Sequence, residues 1–138
     1  MTFKEWFDKK YNGIDPCIIT TITTFNENIT CLSGIEHLKN LQTLYIFNNN
    51  ISSLAGIEYL TKLNKLDISD NNISSLAGIE NLKKLNKLDI SNNKLSSLSG
   101  IEHLKNLKRF NITTDIPSLK RRIKYSSNIN LLTSSKKI

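Results

Sequence analysis

LKNLQTLYIFNNNISSLAGIEY, residues 38–59, runs without a break into LTKLNKLDISDNNISSLAGIEN, residues 60–81, and LKKLNKLDISNNKLSSLSGIEH, residues 82–103. The units open at Leu38, Leu60 and Leu82, so the step is 60 − 38 = 82 − 60 = 22 residues. Leu104 opens a further unit on the same step. Each unit follows L-xx-L-xx-L-x-I-xx-N-x-I/L-xx-L-xx-I-xx, and all seven apolar positions of all three units are Leu or Ile. Self-similarity at such a period marks units that cannot bury an apolar face alone and stack on their neighbours instead.

Working outward, subtracting 22 from the unit at 38 gives a worn first repeat over residues 16–37. Ile19, Ile22, Ile29, Leu32 and Ile35 fall on apolar positions, but Thr24 replaces an Ile and Glu27 replaces the Asn. At the other end, Leu104, Leu107, Phe110 and Ile112 begin a partial unit over 104–115, in which Asp115 stands in the Asn position. Pro117 then falls where Ile51, Ile73 and Leu95 fall. Proline has no N–H for a ladder, so the repeats are expected to stop there.

Within a unit, L-x-I predicts a short strand with side chains alternating between faces. Leu44 and Ile46 are expected to point inward, and Thr43, Tyr45 and Phe47 outward. Stacking the units in parallel gives about five strands, one per unit. The bulkier return leg places this sheet on the concave side. Gly34, Gly56, Gly78 and Gly100 recur in S/A-G-I-E and permit a tight turn onto the convex leg. Asn49, Asn71 and Asn93 end the strands and are expected to point inward as a structural ladder. An amide side chain can both donate and accept, and so can satisfy backbone groups freed at a turn.

The 22-residue unit resembles that of bacterial internalins and of the leucine-rich regulatory subunit of type-1 protein phosphatase. The resemblance covers residues 16–115. It implies an α/β, right-handed leucine-rich-repeat solenoid whose concave face binds another protein, in a scaffold or regulatory-subunit role.

Terminal repeats need caps. Residues 1–15 are read as the N-terminal cap, with a helix over residues 2–11. Thr2 is the expected N-cap, and Glu5 completes a capping box. Phe3, Trp6 and Phe7 share one face and are read as a lid on the apolar end. Residues 116–138 are read as a basic C-terminal cap and tail. Ser118 would cap a short helix held by Leu119 and Ile123, and the chain is expected to fray from Ser126 onward.

The net charge of +7 is unevenly spread. Residues 1–115 hold 13 basic and 12 acidic residues, a balance of +1, whereas residues 116–138 hold six basic residues and no acid. The run Lys120, Arg121, Arg122 and Lys124 is a candidate polyanion contact, through which weak nucleic-acid binding is the alternative function. There is no apolar run long enough to span a membrane. The N-terminus is mixed in charge rather than basic-then-apolar, so no signal peptide is read. A cytoplasmic or nuclear, non-secreted setting follows, in which Cys17 and Cys31 are free thiols.

The repeat register sorts the outward residues into four columns. The first is Thr21, Thr43, Lys65, Lys87, Arg109; the second is Thr23, Tyr45, Asp67, Asp89, Asn111. The third is Phe25, Phe47, Ser69, Ser91, Thr113; the fourth is Asn26, Asn48, Asp70, Asn92, Thr114. The face is aromatic toward the N-terminus and charged toward the C-terminus. The candidate partner-binding set is Thr43, Tyr45, Phe47, Asn48, Lys65, Asp67, Asp70, Lys87, Asp89, Arg109 and Asn111. Exposed aromatics are enriched at interfaces, although Phe25 and Phe47 can also simply stack across adjacent strands. Asp67 and Asp89 are neighbouring carboxylates, but Lys65 and Lys87 stand two residues away and are expected to pair with them. No nucleophile, base or metal-ligand constellation accompanies the two acids, so no catalysis, metal or cofactor is expected. The expected function is that of a monomeric, non-catalytic protein-binding module.

Overall fold

The computed structural model describes residues 1–113 and 130–133. A short helix, α1 (Phe3–Lys10), precedes strands β1 (Thr21–Thr23), β2 (Thr43–Tyr45), β3 (Lys65–Asp67), β4 (Lys87–Asp89), β5 (Arg109–Ile112) and β6 (Asn130–Thr133). All six form one parallel sheet in sequence order. Pairing follows the repeat step: Ile22 faces Leu44, Leu44 faces Leu66, Leu66 faces Leu88, and Leu88 faces Phe110. The architecture is therefore a repeat solenoid, with the strands and the return legs forming the two walls of a thin core.

The sheet is one strand wider than the five expected, because residues 130–133 pair with β5 instead of fraying. An edge strand carries a row of unpaired backbone groups, and another extended segment satisfies them. The expected C-terminal cap helix around Leu119 and Ile123 lies outside the described residues.

The core is what the period dictates. Leu44, Leu66, Leu88 and Phe110 form one buried column and Ile46, Ile68, Ile90 and Ile112 a second. The return legs add Ile51, Ile73 and Leu95, then Leu54, Leu76 and Leu98. Each return leg holds a single 3-10 turn, at Ile35–His37, Ile57–Tyr59, Ile79–Asn81 and Ile101–His103. The glycine ahead of each turn has positive φ, +99° at Gly56, a region where a side chain is strained. A Cβ at Gly34 would also meet Lys4 Cβ at 2.7 Å.

The acid in S/A-G-I-E has its own part in this turn. Glu36, Glu58, Glu80 and Glu102 each accept, through Oε2, the amide N–H of the glycine two residues earlier, at 2.8–2.9 Å. The four conspicuous glutamates of the convex side are thus turn caps.

The helix α1 is a lid. Thr2 N-caps it, with Glu5 N–H donating to Thr2 Oγ1 at 3.2 Å and Thr2 N–H to Glu5 Oε2 at 2.8 Å. Phe3, Trp6 and Phe7 are buried, and Phe7 stacks on Tyr11 at 4.9 Å between ring centroids. Phe3 N–H donates to the Cys31 carbonyl and Lys4 N–H to that of Ser33, which fastens the helix start to the first return leg. Trp6 is only 4% exposed and so faces the core, not a partner. No helix among the described residues is long and apolar enough to cross a membrane.

Thr24, the polar intruder of the first repeat, sits in the inward column at 4% exposure, and its Oγ1 has no hydrogen-bond partner among the described residues. A buried hydroxyl without a partner costs about 1–3 kcal/mol. Thr24→Val keeps the shape and removes the hydroxyl, so it should stabilise the fold by about 1 kcal/mol in thermal or denaturant unfolding. A loss of stability in that variant would mean the hydroxyl is satisfied.

Candidate protein-interaction surface

The face of the sheet turned away from the core is braced by hydrogen bonds where each strand ends. Asn71 Oδ1 accepts the Ile51 amide at 3.0 Å, and Asn93 Oδ1 accepts the Ile73 amide at 2.8 Å. Asn49 Oδ1 accepts the amides of Glu27 (3.2 Å) and Ile29 (3.0 Å). In each case the side chain serves the preceding repeat. The Nδ2 groups donate back: Asn71 to Ile46, Ile68 and Ser69 carbonyls, Asn93 to Ile68, Ile90 and Ser91. Asn49 donates to Phe47.

The fourth column has a structural duty that the register alone does not reveal. Asn26, Asn48, Asp70 and Asn92 all have positive φ, between +51° and +58°. Asn and Asp are the non-glycine residues that best tolerate this left-handed region. Their side chains also link neighbouring repeats: Asn48 Nδ2 donates to Asn26 Oδ1, and Asn92 Nδ2 to Asp70 Oδ1 at 2.9 Å. Asn48 and Asp70 belong to the candidate partner-binding set, and the backbone gives each a reason to be there without a partner. The signal was available in the sequence, since an Asx residue recurs every 22 positions just after the strand.

The three columns nearer the strand centres present the candidate surface. Thr43, Tyr45, Phe47, Lys65, Asp67, Lys87, Asp89 and Asn111 are half-buried, and Arg109 is exposed. Phe25 and Phe47 stack nearly parallel, 5.2 Å between centroids and 6° between planes. Even so, Phe25 remains 50% exposed. Tyr45 belongs to the same strand end as Phe47, two residues before it. The face therefore carries a preformed aromatic platform over its first two repeats.

The acids are held differently from what the spacing suggests. Among the described residues, neither Lys65 nor Lys87 makes an ion pair with Asp67 or Asp89. Asp67 Oδ1 instead accepts Ser69 N–H at 3.0 Å and Ser69 Oγ–H at 2.6 Å. Asp89 Oδ1 accepts Ser91 N–H at 2.9 Å, while its Oδ2 accepts Asn111 Nδ2 at 2.9 Å. The serine two residues on is the nearer and more rigid partner, because it is fixed by the turn while a lysine must order a long side chain. Burial pushes the Asp67 carboxyl above the usual carboxylate range; the hydrogen bonds from Ser69 oppose the rise, and the charges of Asp89 and Asp70 add to it.

Other chemistry is sparse. Cys17 and Cys31 are free thiols. The hydrogen bond and charge of Asp15 raise the Cys17 thiol, so it is a poorer nucleophile than an ordinary cysteine. Among the described residues no group of His, Cys, Asp and Glu could hold a metal. On the convex side an open groove of about 490 Å³ runs between Cys31 and Tyr59, where Lys39 Nζ sits 4.7 Å from the Tyr59 ring centroid. Lys120, Arg121, Arg122 and Lys124 lie outside the described residues.

A family model of leucine-rich repeats (2 copies) matches residues 39–83 and 61–103. The chain is a leucine-rich-repeat protein. Solved leucine-rich-repeat structures resemble it closely. Internalin C2 of Listeria monocytogenes is 33% identical over 62% of this chain and 38% of its own, with a TM-score of 0.60. Internalin F of the same organism is 25% identical over 86% of this chain and 36% of its own, with a TM-score of 0.72. A leucine-rich-repeat protein of Leptospira interrogans is 33% identical over 80% of this chain and 30% of its own, with a TM-score of 0.73. This leucine-rich-repeat chain thus spans 30–38% of the length of those structures. No curated protein sequence matches it significantly. Leucine-rich repeats commonly mediate protein–protein interaction.

The raised Asp67 carboxyl has a pH consequence. A carboxyl whose value is higher folded than unfolded costs stability when ionised, and that cost disappears as pH falls through the carboxylate range. Asp67→Asn keeps an oxygen for Ser69 and removes the charge. Its melting temperature should equal or exceed that of the wild type at neutral pH, with the advantage shrinking on acidification. A wild type that gains on the variant as pH rises would contradict this.

Proposed function

We propose that this protein is a non-catalytic binding module that takes another protein on its concave sheet face, anchored by Tyr45 and the Phe25–Phe47 pair. The observation that carries this is the aromatic platform. Two phenyl rings lie stacked on a hydrogen-bonded sheet with one of them half exposed, although the core beneath is filled without them. Large rigid aromatics bind with little loss of side-chain freedom and supply many interface hot spots. The two free thiols fit a reducing compartment, cytoplasm or nucleus.

A second reading, weak nucleic-acid binding through the tail, is favoured by one observation: residues 116–138 hold six basic residues and no acid. Such binding would be insensitive to sequence and would collapse with rising salt.

Affinity capture with the wild type, Tyr45→Ala, Phe47→Ala and the convex variant Tyr59→Ala tests the main reading. Tyr59 is an exposed aromatic on the opposite side, 52% accessible, and so controls for stickiness. Both concave variants should fold as the wild type does and lose about 2–4 kcal/mol of partner affinity, whereas Tyr59→Ala should bind normally. The reading fails if capture follows Tyr59 and ignores the other two.

A further inference from the structure

The balance of +1 over residues 1–115 conceals a segregation of charge that the fold lays out in space. Segments 60–66, 82–88 and 104–110, which lead into and begin β3, β4 and β5, hold eight Lys or Arg and no acid. The acids of these repeats lie elsewhere, at the strand ends and on the 3-10 turns.

The sheet register then places Lys65 beside Lys87 and Lys87 beside Arg109, on strands about 4.8 Å apart. Like charges directly opposite one another in a sheet are destabilising. Among the described residues none of the three makes an ion pair. The nearest acids of the same face, Asp67 and Asp89, are occupied by Ser69 and Ser91 instead. In the first two repeats the same column holds Thr21 and Thr43, so the solenoid fold itself does not require a cation there.

We infer that the row Lys65–Lys87–Arg109 is the electrostatic half of the concave interface, and that its occupant is an acidic protein segment: clustered carboxylates over the cations, with an apolar side chain on the Phe47 platform. This rests on the concave-face reading above and adds the chemistry of the partner. A nucleic acid fits less well. Asp67 and Asp89 lie two residues, about 6.6 Å, along the strands from the cations. A polyphosphate chain laid on the row would meet that second row of negative charge. A peptide can set carboxylates over the cations and neutral groups over the aspartates.

The test uses the full chain, a labelled oligoglutamate peptide ending in tryptophan, the same peptide without tryptophan, and an oligothymidylate of equal charge, each titrated by fluorescence anisotropy over a range of salt. Lys65→Gln/Lys87→Gln/Arg109→Gln should bind both peptides about tenfold more weakly with a flatter salt dependence, since it removes three charge contacts. Its melting temperature should be equal or higher, because a repulsive row is gone; the single variant Lys87→Glu should show the same direction of loss if the triple variant misfolds. Neutralising Lys120, Arg121, Arg122 and Lys124 should leave peptide binding unchanged. Peptide binding that survives the row variants, or that is lost with the tail variant, overturns the inference. Oligothymidylate that binds more tightly than the peptides and is lost with the row overturns the choice of partner. Phe47→Ala should weaken only the tryptophan peptide. If it does not while the row variants do, the aromatic anchor fails and the cation row stands.

Discussion

Every repeat of this protein must end its strand and turn the chain inside a core only two side chains deep, and the backbone amides freed at that turn need partners away from water. Buried asparagine supplies them. Asn71 and Asn93 each accept an amide from the repeat before and return their Nδ2 hydrogens to carbonyls at both levels. The ladder is directional. The Oδ1 of each Asn accepts from the repeat on its N-terminal side, and the first repeat is preceded by the helix α1 rather than by another repeat. That is a physical reason for Glu27 to stand where the later units have Asn: Asn49 covers the Glu27 and Ile29 amides from the next repeat.

The core was legible from the spacing. Leu and Ile at fixed steps determine which side chains turn inward, and parallel stacking at the same step determines the register. The capping box of Thr2 and Glu5 was legible too, as was the aromatic lid it starts. What the spacing could not convey lay in the backbone and in short-range competition. Asn48 and Asp70 read as exposed binding groups because an outward position says nothing of φ, yet both occupy left-handed conformations. Lys65 and Lys87 looked like partners of the nearby aspartates, but serines held by the turn reach those carboxylates first. The sixth strand escaped because it breaks the step. Asn130 pairs with Arg109, and 130 − 109 = 21, after an interval in which Pro117 disrupts the motif.

Constant and variable positions separate cleanly along this chain. Inward positions are nearly identical from repeat to repeat because adjacent units must bury one another. Outward positions of the strands change: Thr43, Tyr45 and Phe47 in one unit become Lys65, Asp67 and Ser69 in the next. The solenoid does not require those changes, and they turn a uniform sheet into a face with an aromatic end and a cationic end. On the proposed reading, specificity resides in the variable columns, and the constant ones fix where those columns stand.

The directional ladder is the claim from which the rigidity of that face follows, and native-state amide hydrogen exchange of Asn71→Ala tests it most directly. The Ile51 amide, which donates to Asn71, should exchange faster in the variant than in the wild type. The Ile73 amide, which donates to Asn93, should keep most of its protection. Unchanged protection at Ile51, or faster exchange at Ile73 with Ile51 spared, would contradict the account.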